Sequence, residues 1–194
     1  MALFATLRDD LARACEYQEG SRARKLLLAL SAPGTHAVIV YRFGHWALGQ
    51  PAPLRWLWST LYQAAYLLIR ILWGIEVPRT AKIGPGFYIG HFGAIAVSGK
   101  ALIGRNFNLS QSTTIGYAGH GEKAGVPVIG DDVYIAPGAR VFGRITIGNN
   151  VKIGANAVVY RDIPDNAVVA LDPGFRIVSV KGNRRDALEL RRSA

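Results

Sequence analysis

From Val77 onward an aliphatic side chain returns at every sixth position, and that period constrains the fold more than any other feature of the 194 residues. Ile129, Ile135, Val141, Ile147, Ile153 and Val159 form one unbroken series. A second, offset by four, runs through Val133, Ala139, Ile145, Val151, Ala157 and Ile163. Small residues stand behind many members of the first, at Gly130, Ala136, Gly148 and Gly154. A helix repeats near 3.6 and a half-buried strand at 2, so neither explains six. A hexapeptide β-helix does: each hexad gives one short strand and one corner, and three hexads close a triangular coil. Stacked coils then bury a continuous aliphatic core. The expected fold class is therefore mainly β, a parallel β-helix.

The repeat is broken in informative places. Val77, Ile83, Ile89 and Ile95 read as an early run, with Gly84 and Gly90 behind it. Val97, Ile103, Leu109 and Ile115 continue it after a two-residue slip. Ile115 and Ile129 are then fourteen apart, two more than two hexads, and Tyr117–Pro127 lacks inward aliphatics until Val126. That segment reads as a loop extruded from the solenoid, where repeat proteins carry binding chemistry.

Residues 1 to about 73 follow a different rule. Leu3, Leu7, Leu11 and Ala14, and likewise Leu57, Leu61, Ala64 and Leu68, recur at helical spacing. Ser31–Gly34 and Gly49–Pro53 punctuate the region as turns. The expected organisation is a helical region over 1–74, a β-helix over 75–180 and a basic tail over 181–194.

The formal net charge of +10 favours anionic partners such as the phosphates of a cofactor or an acidic membrane face. No nucleic-acid recognition motif accompanies it. Cys15 is the only cysteine, which fits a reducing compartment, and the four histidines show no zinc-ligand spacing, so no metal is expected. Asp9 and Asp10 interrupt what a secretion signal would need as its apolar run, and a cytoplasmic location is expected. The uncharged stretch Trp56–Ile69 is too short to span a bilayer. Within Leu54–Trp73 an aromatic and basic set (Trp56, Trp58, Tyr62, Tyr66, Trp73, Arg55, Arg70) suits either peripheral membrane contact or packing against the β-helix.

The stretch VPRTAKIGPGFYIGHFGAIAV, then STTIG, then PVIGDDVYIAPGARVFGRITIGNNVKIGANAVVYRDIP, resembles the serine acetyltransferase group of hexapeptide transferases over about residues 75 to 180. The upstream YRFGHW resembles the shorter members associated with exopolysaccharide gene clusters. The resemblance implies a left-handed β-helix, a homotrimer, and acetyl-CoA bound between neighbouring β-helices.

It also maps the family's catalytic histidine onto His91, in Ile89–Gly93. A base near neutral pKa within reach of the acceptor hydroxyl is what direct acyl transfer requires. A histidine filling a coil corner is the rival reading. The family's aspartate before this histidine is Gly90 here, and its loop motif Asp-Arg-His-Pro aligns with Ala124–Pro127, without the arginine and the second histidine. Its early Asp-Ile-His reads Glu76-Val77-Pro78, so Glu76 either orients His91 or is a solvated charge. His120, on the extruded loop, is a candidate replacement for the second histidine or a solvated loop residue. His45 reads as a packing or capping residue, and His36 has no distinguishing context. For the cofactor, the resemblance points to corners at Gly116, Pro137 and Ala155, with Lys152, Arg140 and Arg176 as phosphate partners or ordinary solvated charges. The family's closing Gly-Val-Pro-Ala-Arg is replaced by Leu171–Arg176.

The leading functional reading is acetyl-CoA-dependent acetylation of a sugar hydroxyl on a polysaccharide or its precursor. The alternatives are serine O-acetylation for cysteine synthesis and a catalytically silent scaffold.

Overall fold

The computed structural model describes residues 3–120 and 124–171. Four helices come first: α1 Leu3–Glu16, α2 Arg22–Ser31, α3 Pro33–Leu48 and α4 Leu54–Trp73. The breaks fall near the two expected turns, with Pro33 inside the first turn of α3, where its missing N–H costs nothing. Gly74, at φ 61°, ends α4 and turns the chain into the solenoid.

Fourteen strands of two or three residues follow, β1–β14 in chain order. The first sheet stacks β1 (Ile75–Glu76), β4 (Ile95–Val97), β7 (Thr114–Gly116), β10 (Arg140–Phe142) and β13 (Val158–Val159). The second stacks β2 (Lys82–Ile83), β5 (Leu102–Ile103), β8 (Val128–Ile129) and β11 (Thr146–Ile147). The third stacks β3 (Tyr88–Ile89), β6 (Asn108–Leu109), β9 (Tyr134–Ile135), β12 (Lys152–Ile153) and β14 (Val168–Val169). The strands of the three sheets pair in parallel, and the chain visits the sheets in turn, so the fold is the β-helix that the hexads imply, with the left hand that the resemblance implies. Strands this short accumulate little twist, which weakens the usual preference for right-handed connections.

Both hexad series point inward. Ile83, Ile89, Ile103, Leu109, Ile115, Ile129, Ile135, Val141, Ile147, Ile153 and Val159 are all buried, as are Val133, Ala139, Val151 and Ala157. The second series extends further back than its aliphatics reveal: Ala81, Phe87, Ala101, Phe107 and Thr113 occupy it too, with Phe87 and Phe107 stacked at 5.7 Å. Thr113 is tolerated inside because its Oγ1 donates to the Ser110 carbonyl at 2.8 Å. The small residues behind the first series let coils approach: a Cβ at Gly104 would lie 2.7 Å from the Gly130 carbonyl oxygen.

One corner, between the second and third sheets, is turned by Asn106, Asp132, Asn150 and Asn166, whose φ values run from 53° to 60°. Asn and Asp accept that conformation more readily than other residues with a Cβ. Here they also link coils, as in Asn106 Nδ2 to Asp132 Oδ1 at 2.9 Å and Asn150 Nδ2 to Asn166 Oδ1 at 2.8 Å.

The YRFGHW segment lies in α3 and closes the top of the first coil. Tyr41 is buried; its hydroxyl donates to the Ala81 carbonyl at 2.9 Å and accepts from the Ile83 N–H at 3.1 Å. Arg42 forms a buried two-pronged pair with Asp10 at 2.7 and 3.0 Å and donates to the Ile83 and Gly84 carbonyls, each at 2.6 Å. Asp10 Oδ1 in turn accepts the Phe87 N–H at 2.8 Å. Arg42 thus makes four hydrogen bonds and Asp10 accepts three, and such added partners are the condition under which a buried pair is tolerated.

Candidate active site

Strand register locates the breaks in the repeat. Ile89 pairs with Leu109 while Val97 pairs with Ile115, so the first corner between the third and first sheets uses eight residues where the next coil uses six. Ile95 pairs with Ile75 and therefore belongs to the second series, with Val97 in the first; the early run is corrected accordingly. The extra residues lie at His91 and Phe92. Past them the corner resumes the common turn: Ala94, Ser112, Gly138 and Asn156 have φ of 52°, 57°, 77° and 58° on successive coils. Hydrogen bonds tie these turns together, Ser112 N–H to the Gly93 carbonyl at 2.8 Å, Gly138 to Gln111 at 3.1 Å and Asn156 to Pro137 at 2.9 Å. Gly93, Gln111, Pro137 and Ala155 thus form one column, each step one strand spacing of about 4.8 Å, and His91 protrudes at its head.

His91 is exposed, with no hydrogen bond or ion pair among the described residues. Its neighbour Phe92 packs edge-on against Trp73 at 5.6 Å, anchoring the corner to the end of α4. Directly in the column, Gln111 carries a buried side-chain oxygen, Oε1, with no partner among the described residues. Sequence reasoning missed Gln111, because only the register shows that it shares a corner with Pro137 and Ala155.

The remaining candidates separate. Glu76, on β1, sits beside Ala96 of β4 and its carboxylate is 3.8 Å from Arg70 of α4. It makes no hydrogen bond to His91 among the described residues; it faces the helix. Nearby, burial and then the charge of Glu76 push the Tyr66 hydroxyl above the usual tyrosine range. Gly116 pairs with Phe142, at the opposite edge of the first sheet from Pro137 and Ala155, so the three expected cofactor corners are two corners. Lys152 lies on β12 over the Tyr134 ring at 5.8 Å. Arg140 is spent on carbonyls, donating to Ser112 and to Gly138 at 3.3 Å. Arg176 and the 181–194 tail lie outside the described residues.

The extruded loop leaves from the Gly116 edge. Ile115 and Ile129 pair with Val141 and Ile147, which are one hexad apart, so the loop adds eight residues to one hexad rather than two to two. Ala118 and Gly125 close its base with two hydrogen bonds of 3.0 Å. His120 is exposed beyond that base, and Gly125 lies so close to Arg144 that an added Cβ would approach Arg144 Cβ to 2.8 Å. Within one chain, His91 and His120 stand at opposite edges of the first sheet. His45 Nδ1 donates to the Arg79 carbonyl at 2.9 Å, and His36 Nε2 bonds the Leu30 carbonyl at 2.8 Å, so both are structural. Among the described residues no group of His, Cys, Asp or Glu is placed to hold a metal ion.

A hexapeptide solenoid with a protruding histidine at the head of a small-residue corner defines a hexapeptide-repeat acyltransferase, and residues 127–161 match the "Bacterial transferase hexapeptide (six repeats)" family. Across most of its length the chain is similar to proteins named serine acetyltransferase. That of Synechococcus elongatus is 32% identical over 187 residues, 96% of this chain and 73% of the relative. That of Mycobacterium tuberculosis is 33% identical over 172 residues, 89% and 72% of the two chains. The crystal structure of serine acetyltransferase isoform 3 from Entamoeba histolytica superposes with a TM-score of 0.73 at 26% identity, covering 91% of this chain and 61% of that one. The chain thus spans less than two thirds of that solved relative. It belongs to the serine acetyltransferase family of hexapeptide-repeat acyltransferases, a class whose acyl donor is acetyl-CoA.

Proposed function

We propose that this chain is an O-acetyltransferase that uses His91 as general base to move an acetyl group from acetyl-CoA to the hydroxyl of serine. The observation that carries it is the placement of His91 on a two-residue insertion at the head of the Gln111–Pro137–Ala155 column. A neutral imidazole takes the acceptor hydroxyl's proton as its oxygen attacks the thioester carbonyl. Backbone N–H groups suit the resulting oxyanion. Collapse breaks the carbon–sulfur bond, and the imidazolium returns its proton to the departing thiolate. The column would give the pantetheine arm access to backbone at Gly93 and Ala155, and the buried, unpartnered Gln111 Oε1 would have to swing outward to accept one of its amide N–H groups.

Serine is favoured as acceptor by the names of relatives that cover nearly the whole chain. A sugar hydroxyl on a polysaccharide or its precursor is the second reading, favoured by Gly90 and Gly125. These stand where the family presents charges suited to a zwitterion, and neither offers a side chain. In a homotrimer, the loop of one chain would sit beside its neighbour's His91, which joins two edges that a single chain holds apart.

The test is acetyl transfer with serine and with oligosaccharide and sugar-nucleotide acceptors in parallel, alongside light scattering. Serine turnover by a particle of three chain masses is expected. Turnover of sugars alone replaces serine with the second reading. Absence of acetyl-CoA binding leaves the scaffold, and a fully active monomer removes the shared site.

A further inference from the structure

The apolar stripe that reveals α4 in the sequence is not the one that packs. Tyr62 and Ile69 are the buried residues of this helix, and Trp58 joins Phe43 and Trp46 in an aromatic cluster at 5.8–6.0 Å. Leu57, Leu61, Ala64, Leu68 and Ile71, spaced alternately by four and three, all face outward. Trp56 (71% exposed), Leu67 and Leu72 widen that face beyond a narrow seam. Contiguous exposed apolar surface of this kind marks an interaction site.

Its charge surroundings narrow the occupant. From Gly20 to Ile75 the chain has no Asp or Glu, yet it carries Arg22, Arg24, Lys25, Arg42, Arg55 and Arg70. Arg42 is consumed by Asp10, and Arg70 has Glu76 beside it at 3.8 Å. Arg55 is exposed in the first turn of α4. Pairing this face with a second copy would bring cations together with few carboxylates to meet them. An anionic lipid surface buries the leucines and neutralises the arginines at once. No single helix among the described residues is long and apolar enough to cross a membrane.

We propose that the outer face of α4, with Arg55 and Arg70 on the same helix, docks this protein on an anionic lipid surface. The inference is independent of the acceptor.

The full chain is sedimented with vesicles of phosphatidylglycerol and phosphatidylcholine, and with phosphatidylcholine alone, at low and high salt. Binding to the anionic vesicles, released by salt, is expected. Leu61→Glu/Leu68→Glu is expected to weaken it at least about tenfold, since each leucine forfeits its burial, with unchanged circular dichroism and unchanged mass by light scattering. Arg55→Ala is expected to lower the salt dependence while leaving the apolar face intact. Absence of binding to anionic vesicles at low salt overturns the proposal. So does a leucine variant that binds like wild type, or one that changes only the particle mass, which assigns the face to a second copy.

Discussion

Two edges of one five-stranded sheet each interrupt the repeat, and they do so differently. At the His91 edge only two residues are added, and the chain rejoins the common turn at Ala94 within the same corner. At the Gly116 edge eight are added, closed by a single pair of hydrogen bonds between Ala118 and Gly125. A short insertion held by strands on both sides fixes its side chain closely, as a proton-transfer group demands. A long one can vary in length and composition without disturbing the stack, as acceptor choice demands. Under the proposed function, the broken repeat would divide chemistry from selectivity.

The largest expected effect tests the first half of that division. His91→Ala should cut turnover by about a hundred- to ten-thousand-fold, the usual loss on removing a general base. Oligomeric state and acetyl-CoA affinity, measured by light scattering and calorimetry, should stay unchanged. Retention of more than about a tenth of wild-type turnover would break the assignment.

A gain tests where that division lies, because Gly90 stands beside His91 and not on the loop. A Cβ at Gly90 would meet only the Tyr88 ring, at 3.4 Å and beyond, so Gly90→Asp fits. Restoring a carboxylate for the serine ammonium is worth about 1.5–3 kcal/mol, and serine kcat/KM should rise on the order of tenfold or more while sugar acceptors gain nothing. An equal change for both classes would show that Gly90 does not read the acceptor.

The smallest effect sits on the His91 edge, one coil further along the stack. Gln111→Ala should raise the KM for acetyl-CoA a few-fold, matching one neutral hydrogen bond of about 1 kcal/mol, with kcat nearly preserved. Gln111→Glu, which offers only acceptors, should behave like wild type in this respect. An unchanged KM in the alanine variant would make the buried oxygen irrelevant to the donor.

The solenoid was legible because every coil repeats the same local demand: an aliphatic inside, a small residue behind it, a corner after that. Even the two-residue slip was visible, although its position was not. Ile95 looks like a continuation of the run through Ile89, and only its pairing with Ile75 moves the slip back onto His91. The same limit hid the Phe87–Phe107 stack, since aromatics do not advertise an aliphatic period. In the helices, spacing disclosed α4 but not which of its faces packs. Leu57, Leu61 and Leu68 are as regular as any core stripe and yet lie outside, because Tyr62, Trp58 and Trp73 reach partners distant in sequence. Glu76 stayed open between two roles for a related reason: the cation beside it, Arg70, belongs to a helix whose approach no local pattern encodes.

The network over the first coil also governs what the molecule does not become. A parallel stack presents, at its end, backbone donors and acceptors that another chain's strand can extend, and exposed ends of this sort seed open-ended growth. Here Arg42 occupies the Ile83 and Gly84 carbonyls, Tyr41 engages Ala81 and Ile83, and Asp10 holds the Phe87 N–H. Two helices thereby act as a stopper over β2: the groups at Ala81, Ile83, Gly84 and Phe87 that a second β-helix would use to continue the stack there head-on are already taken.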